Sequence, residues 1–124
     1  MIELKYKNLD VWKKSMEIVS EFYRPTTLFP KEEQFGPTSQ IGRFTISIPS
    51  NIREGLAISS NLQIIRFLYI ARPSLPELDT QIQIASDLSY LNNSNIVSLT
   101  KIVNQTFTML SKLIQKNKND EKRK

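Results

Sequence analysis

The sequence predicts an all-α chain folded as an antiparallel, up-and-down four-helix bundle. Three observations carry that reading. Apolar residues recur every three to four positions over four long segments. No strand alternation of useful length interrupts them. The connections are short and rich in Pro, Gly, Ser and Asn, which makes consecutive helices antiparallel neighbours.

The first segment runs from Leu9 to Tyr23. Leu9, Trp12, Met16, Val19 and Tyr23 form one stripe, and Val11, Ser15, Ile18 and Phe22 an adjacent one. Together they predict a wide face buried against two neighbours. Asn8 is the expected N-cap. Pro25 should kink or end the helix near Arg24. A connection over "FPKEEQFGP" follows, with Pro37 suited to the first turn of a second helix, Pro37 to Ala57. Its stripe is Ile41, Phe44, Ile48, Ile52 and Leu56, and Pro49 inside it predicts a kink. Gly55 suits a close helix approach.

Ser60 and Gln63 have the spacing of a capping box and open a third helix, from about Asn61 to Leu91. Pro73 and Pro76 make it either one kinked rod or two helices meeting near "RPSLP". The stripe Leu68, Ala71, Leu75, Leu78, Ile82 keeps phase across both prolines, which favours one axis. "NNSN" is a turn with several possible caps, and the fourth helix runs from about Asn95 to Lys116 on Ile96, Leu99, Ile102, Val103, Thr106, Met109, Leu110 and Leu113. Residues 1–115 are therefore expected to be one bundle domain. Residues 116–124, with five basic and two acidic residues, are expected to be a disordered basic tail. Phe67, Tyr69, Ile70 and Phe107 do not all fit a single core, so they either enlarge it or serve self-association.

Composition removes whole classes of chemistry. The 124 residues include no Cys and no His. The usual zinc, iron–sulfur and haem ligand sets, Cys–His and Ser–His–Asp nucleophiles, and disulfides are thereby excluded. With three glycines, a glycine-rich phosphate loop is not expected. No cofactor is expected. The N-terminus lacks the apolar stretch of a signal peptide, and no run nears the ~20 apolar residues of a membrane helix, so a cytoplasmic protein is expected.

Gln40, Arg43, Ser47, Asn51 and Glu54 recur at helical spacing beside the apolar stripe, and Glu77 and Gln81 repeat the i, i+4 relation on the third helix. They are expected to form a structural polar network between helices. Glu54 and Glu77 have the residue type of an acid–base pair but no nucleophile or metal ligand beside them, so no catalytic residue is assigned. Net charge is +5. Lys13, Lys14, Arg53, Arg66, Arg72 and Lys101 are candidate nucleic-acid contacts. They are spread over all helices, so a continuous surface would need oligomerisation. Trp12 is expected on the core face.

"YKNLDVWKKSMEIVSEFY", "FPKEEQFGPTSQIGRFTISIPSNIREG" and "IIRFLYIARPSLPELDTQIQIASDLSYL" occur in order. Over about residues 6–115 the chain resembles the ribosomal intervening-sequence protein family, also called the four-helix bundle protein family, whose founders are encoded in insertions within bacterial 23S rRNA genes. The matching positions are Gln40, Arg43, Ser47, Pro49, Asn51, Glu54, Gly55, Glu77 and Gln81. The sequence departs from the family pattern at Gly42, Phe44, Thr45 and Arg53, at Pro73 of Pro73-Ser74 where the family has Gly-Ser, and at the added Pro76. The resemblance implies a four-helix bundle assembled as a homopentamer, without enzymatic activity, serving as a scaffold for RNA or a protein partner. Some relatives are accessory proteins of retroelements that bind nucleic acid and a reverse transcriptase, which makes such a subunit the alternative.

Overall fold

The computed structural model describes residue 6 and residues 9–34, 36–57 and 60–124. The elements are α1 (Asp10–Thr26), a 3-10 turn (Lys31–Glu33), α2 (Pro37–Leu56), α3 (Asn61–Ala71), α4 (Ser74–Asp87) and α5 (Asn93–Lys122). Among the described residues there is no strand.

α1 buries Val11, Ser15, Ile18, Phe22 and Pro25. Only the second of the two predicted stripes is core. Met16 and Tyr23 on the first are exposed, and Trp12 is only partly buried against the core. The helix also passes Pro25 and ends at Thr26, two residues beyond Arg24. Pro25 costs the one hydrogen bond its N–H would have made to Glu21 O, and threonine hydroxyls add bonds to other carbonyls of the last turn: Thr26 Oγ1 donates to Phe22 O at 2.9 Å and Thr27 Oγ1 to Arg24 O at 2.7 Å. Asn8, the expected cap, lies outside the described residues.

α2 runs through Pro49 without interruption, with Ile41, Ile48 and Ile52 buried and Phe44 and Leu56 partly so. The predicted third helix is two segments of one rod. Arg72 and Pro73 keep right-handed helical dihedrals, but the hydrogen-bond ladder breaks at them. Pro73 has no N–H to offer, and Leu75 N bonds Arg72 O at 3.1 Å in the tighter 3-10 pattern. Pro76 falls in the first turn of α4, where its missing donor orphans nothing. Ser60 is the N-cap of α3 but makes no side-chain cap bond, so the expected capping box with Gln63 is not formed. The box forms instead on α5, where Asn92 Oδ1 accepts from Asn95 N at 2.8 Å.

α5 is longer than predicted. It continues to Lys122, and Asn117 is buried with its amide donating to Leu113 O at 2.9 Å. The segment expected as a disordered tail is thus helical to Lys122, because the Leu110, Ile114, Asn117 stripe keeps its packing surface past residue 115.

α1 packs on α2 and α5, and the α3–α4 rod packs on the same two helices, so α1 and the rod are diagonal. That is the up-and-down order. The core is one cluster spanning all helices, with Ile18, Ile48, Ile52, Leu68, Leu75, Leu78 and Leu110 fully enclosed. Each such side chain contributes about 1.5–3 kcal/mol on leaving water. The enclosed hydroxyls of Ser15 and Thr106 donate back to Trp12 O and Ile102 O at 2.6 and 2.8 Å, so neither is left unpaired.

Candidate functional site

The polar stripe on α2 does not close into a network. Ser47, Asn51 and Glu54 are half-buried, while Arg43 and, on α4, Glu77 are exposed. Of the seven predicted members, only two are joined: Asn51 Nδ2 donates to Ser47 O at 2.8 Å and to Ser47 Oγ at 3.2 Å. Arg43 and Glu54 are eleven residues apart on one helix, about 16 Å along its axis, too far for an ion pair. Glu54 pairs instead with its exposed neighbour Arg53. Gln40 and Gln81 are half-buried, and Gln81 Oε1 is enclosed without a partner. Gly55 does what its position predicts. A Cβ there would lie 2.9 Å from Phe67 Cβ and 3.4 Å from Ile64 O, so α2 and α3 meet over it.

The predicted basic residues divide by location. Lys13 and Lys14 start α1 and Arg53 nears the end of α2, with Lys14 held by Glu17 at 3.2 Å. Lys101 is exposed on the first half of α5. Arg66 and Arg72 lie on α3 and its exit, a wall that packs against the second half of α5. Charge gathers on the two segments that build the wall. Residues 61–72 and 108–124 hold eight basic and two acidic residues, a net of +6. The other described residues hold seven basic and nine acidic, a net of −2.

At the centre of the wall aromatic and cationic side chains interleave. The Arg72 guanidinium carbon sits 5.0 Å from the Tyr69 ring centre and 5.6 Å from that of Phe107, and Nη1 donates to Ser111 Oγ at 3.4 Å. Lys118 Nζ is also 5.0 Å from the Tyr69 ring centre. A hydrogen bond from Lys118 holds the Tyr69 phenol below its ordinary pKa against the opposing effect of burial, and the charges of Lys118 and Arg72 add to it. Tyr69 and Phe107 remain more than a third exposed. Lys118 escaped the sequence reading because residues 116–124 read as a tail. The signal present in the sequence was an unplaced Tyr69 and Phe107; the apolar stripe ends at Ile114, and the packing beyond it rests on the polar Asn117, which periodicity does not mark.

A second surface is apolar. Met16, Val19 and Tyr23 of α1 and Ile46 of α2 line the outer groove between those helices, with Trp12 and Pro49 at one end and Gly42 at the other. Met16, Tyr23 and Ile46 are exposed there. Among the described residues no three His, Cys, Asp or Glu side chains come together as a metal ligand set, and no helix is long and apolar enough to cross a membrane.

The profile of the 23S rRNA-intervening sequence protein family matches residues 7–112. The chain belongs to that family. A solved structure with the same fold is a protein of unknown function from the S23 ribosomal protein family of Bacteroides thetaiotaomicron. It superposes with a TM-score of 0.77 at 24% identity, over 85% of this chain and 95% of that one. No curated protein matches the chain. Family membership accounts for the order of the sequence signatures, and the structure gives several of them a local role. Phe29 and Glu33 of Phe-Pro-x-Glu-Glu serve the end of the bundle, and Gly55 serves the α2–α3 contact.

Proposed function

We propose that this member of the intervening-sequence family is a non-enzymatic, self-assembling cytoplasmic scaffold that binds RNA on the α3–α5 wall. The observation that carries the reading is the concentration of a net +6 on residues 61–72 and 108–124 while the other described residues sum to −2. Positive charge concentrated on two neighbouring helical segments attracts phosphates and releases their counterions, which supplies most sequence-independent affinity. The exposed apolar groove of α1 and α2 supports self-association, with a ring of five as the expected assembly. A ring repeats one wall several times and raises affinity through multivalency. RNA affinity measured across a salt series tests the reading. Log K should fall linearly with log salt, and a flat line removes RNA binding by the wall. Light scattering tests assembly, since a monomeric mass at micromolar concentration removes the ring.

A further inference from the structure

Arg72 and Lys118 both stand over the Tyr69 ring, and neither is paired with a carboxylate in the described residues. Each lies 5.0 Å from the centre of the Tyr69 ring, so the two charges are within about 10 Å of one another. The ion pairs among the described residues are Lys14–Glu17, Arg53–Glu54 and Lys124–Glu121, and neither Arg72 nor Lys118 takes part in one. Two cations at one ring without a paired carboxylate leave positive charge that an anionic ligand can neutralise. Arg72 is also held in place, by Ser111 and by the Tyr69 and Phe107 rings, so little of its freedom is left to lose on binding.

The rings decide what kind of phosphate ligand fits. Phe107 is 39% exposed beside the guanidinium, so it presents part of a π-surface next to the cations. A duplex brings phosphates but keeps its bases stacked on one another. A single strand brings phosphates together with bases free to stack.

We propose that the α3–α5 wall is a single-strand RNA site, with backbone phosphates held by Arg72 and Lys118 and one unpaired base laid on Phe107. The proposal rests on the RNA-binding reading above and adds the class of RNA to it.

Fluorescence anisotropy of the full chain with a labelled twelve-nucleotide oligouridine, and with a mixed-sequence duplex of the same length in the same buffer, tests it. The strand should bind about 10-fold tighter than the duplex. Phe107→Ala should weaken strand binding about 10-fold and leave duplex binding within about 2-fold, because stacking on an aromatic ring is lost only for an unpaired base. Phe107→Tyr should keep the strand affinity. Arg72→Gln and Lys118→Gln should each weaken the strand and reduce its salt slope by about one. Lys31→Gln, in the α1–α2 connection, should change neither. If Arg72→Gln fails to fold, the exposed Phe107 and the Lys118 substitution still decide the matter. Equal strand and duplex affinities, or an unchanged strand affinity in Phe107→Ala, overturn the single-strand site while salt-dependent RNA binding stands. Failure of both RNAs to bind with any salt dependence removes the RNA-binding reading, and this proposal with it.

Discussion

Tyr90 donates its phenolic proton to Glu33 at 3.0 Å, and its ring rests on Phe29 with the two centroids 5.2 Å apart. The pair ties the α1–α2 connection to the α4–α5 turn across 57 residues of sequence. Phe29 is buried and Glu33 half-buried, so the connection is held by one apolar and one polar contact to the same side chain. Tyr90→Phe should keep the ring contact and lose the hydrogen bond. A fall in Tm of about 2–5 °C is expected by calorimetry. An unchanged Tm would mean that the bond exchanges with water at no cost.

The same bond sets a pH dependence. The Glu33 hydrogen bond, then burial, then the charges of Glu33 and Glu32 hold the Tyr90 phenol above its ordinary value of 10.0. A group raised on folding stabilises the fold while protonated. Its contribution is complete below pH 10 and is lost as pH climbs through the folded value. Tyr69 is shifted the other way, by Lys118 first. Its contribution is present above the unfolded value and is lost as pH falls through the folded one. A tyrosinate absorbance titration of the folded protein should therefore show Tyr69 ionising before Tyr90. Tyr69→Phe should remove amplitude from the low-pH side of the curve and Tyr90→Phe from the high-pH side.

Ser89 is the one described non-glycine residue with positive φ, at 61°. It follows the C-cap of α4 in a Schellman arrangement: Tyr90 N bonds Ala85 O at 2.8 Å and Ser89 N bonds Ser86 O at 3.0 Å. The turn aims Tyr90 at Phe29 and Glu33, so it is needed, but a Cβ strains it. Ser89→Gly should stabilise the protein by about 0.5–1 kcal/mol in urea unfolding. A loss of stability would show that the serine side chain contributes more than the strain costs.

Two helical glycines should respond in opposite directions. Gly55→Ala drives a Cβ to 2.9 Å from Phe67 Cβ, with the Ile64 carbonyl at 3.4 Å closing the other side. Overpacking of this kind costs about 1–3 kcal/mol. Gly42→Ala meets nothing within 4 Å. It should stabilise α2 by about 0.5–1 kcal/mol through lower unfolded-chain entropy and better helix propensity. Denaturant midpoints of the two variants check both signs, and a stabilised Gly55→Ala would contradict the close α2–α3 approach.

Periodicity made the bundle legible, because the Ile41–Ile48–Ile52 and Leu68–Ala71–Leu75–Leu78 stripes have no strand-like alternative. It could not choose between two adjacent stripes of similar hydropathy on α1. Which one faces inward depends on where α2 and α5 stand, and that left Met16 and Tyr23 outside. Capping was half legible. Ser60 and Gln63 have the right spacing and no cap bond, while Asn92 and Asn95 form the box within a turn that offered several possible caps without choosing among them. The polar stripe was legible as a pattern but not as a network, since spacing shows a shared face and not whether Arg43 finds an acid across it. The wall depended on tertiary placement: Arg72 and Lys118 are 46 residues apart in sequence, and only the packing of α3 on α5 brings both to Tyr69.

The end of α5 is the sharpest test of that packing. If residues 116–124 were a solvated tail, removing them would change nothing in the bundle. In the structure they continue α5, with Asn117 buried, Lys118 against Tyr69, and Ile114 only 2% exposed beside them. Truncation after Gln115 should therefore lower helical ellipticity by more than the removed residues account for, because the new terminus frays back through Ile114. Tm should fall by about 3–6 °C. Asn117→Ala, which removes the bond to Leu113 O and leaves the charge intact, should reproduce part of the fall. A truncated chain with unchanged Tm would return the segment to the status of a tail and take Lys118 out of the wall.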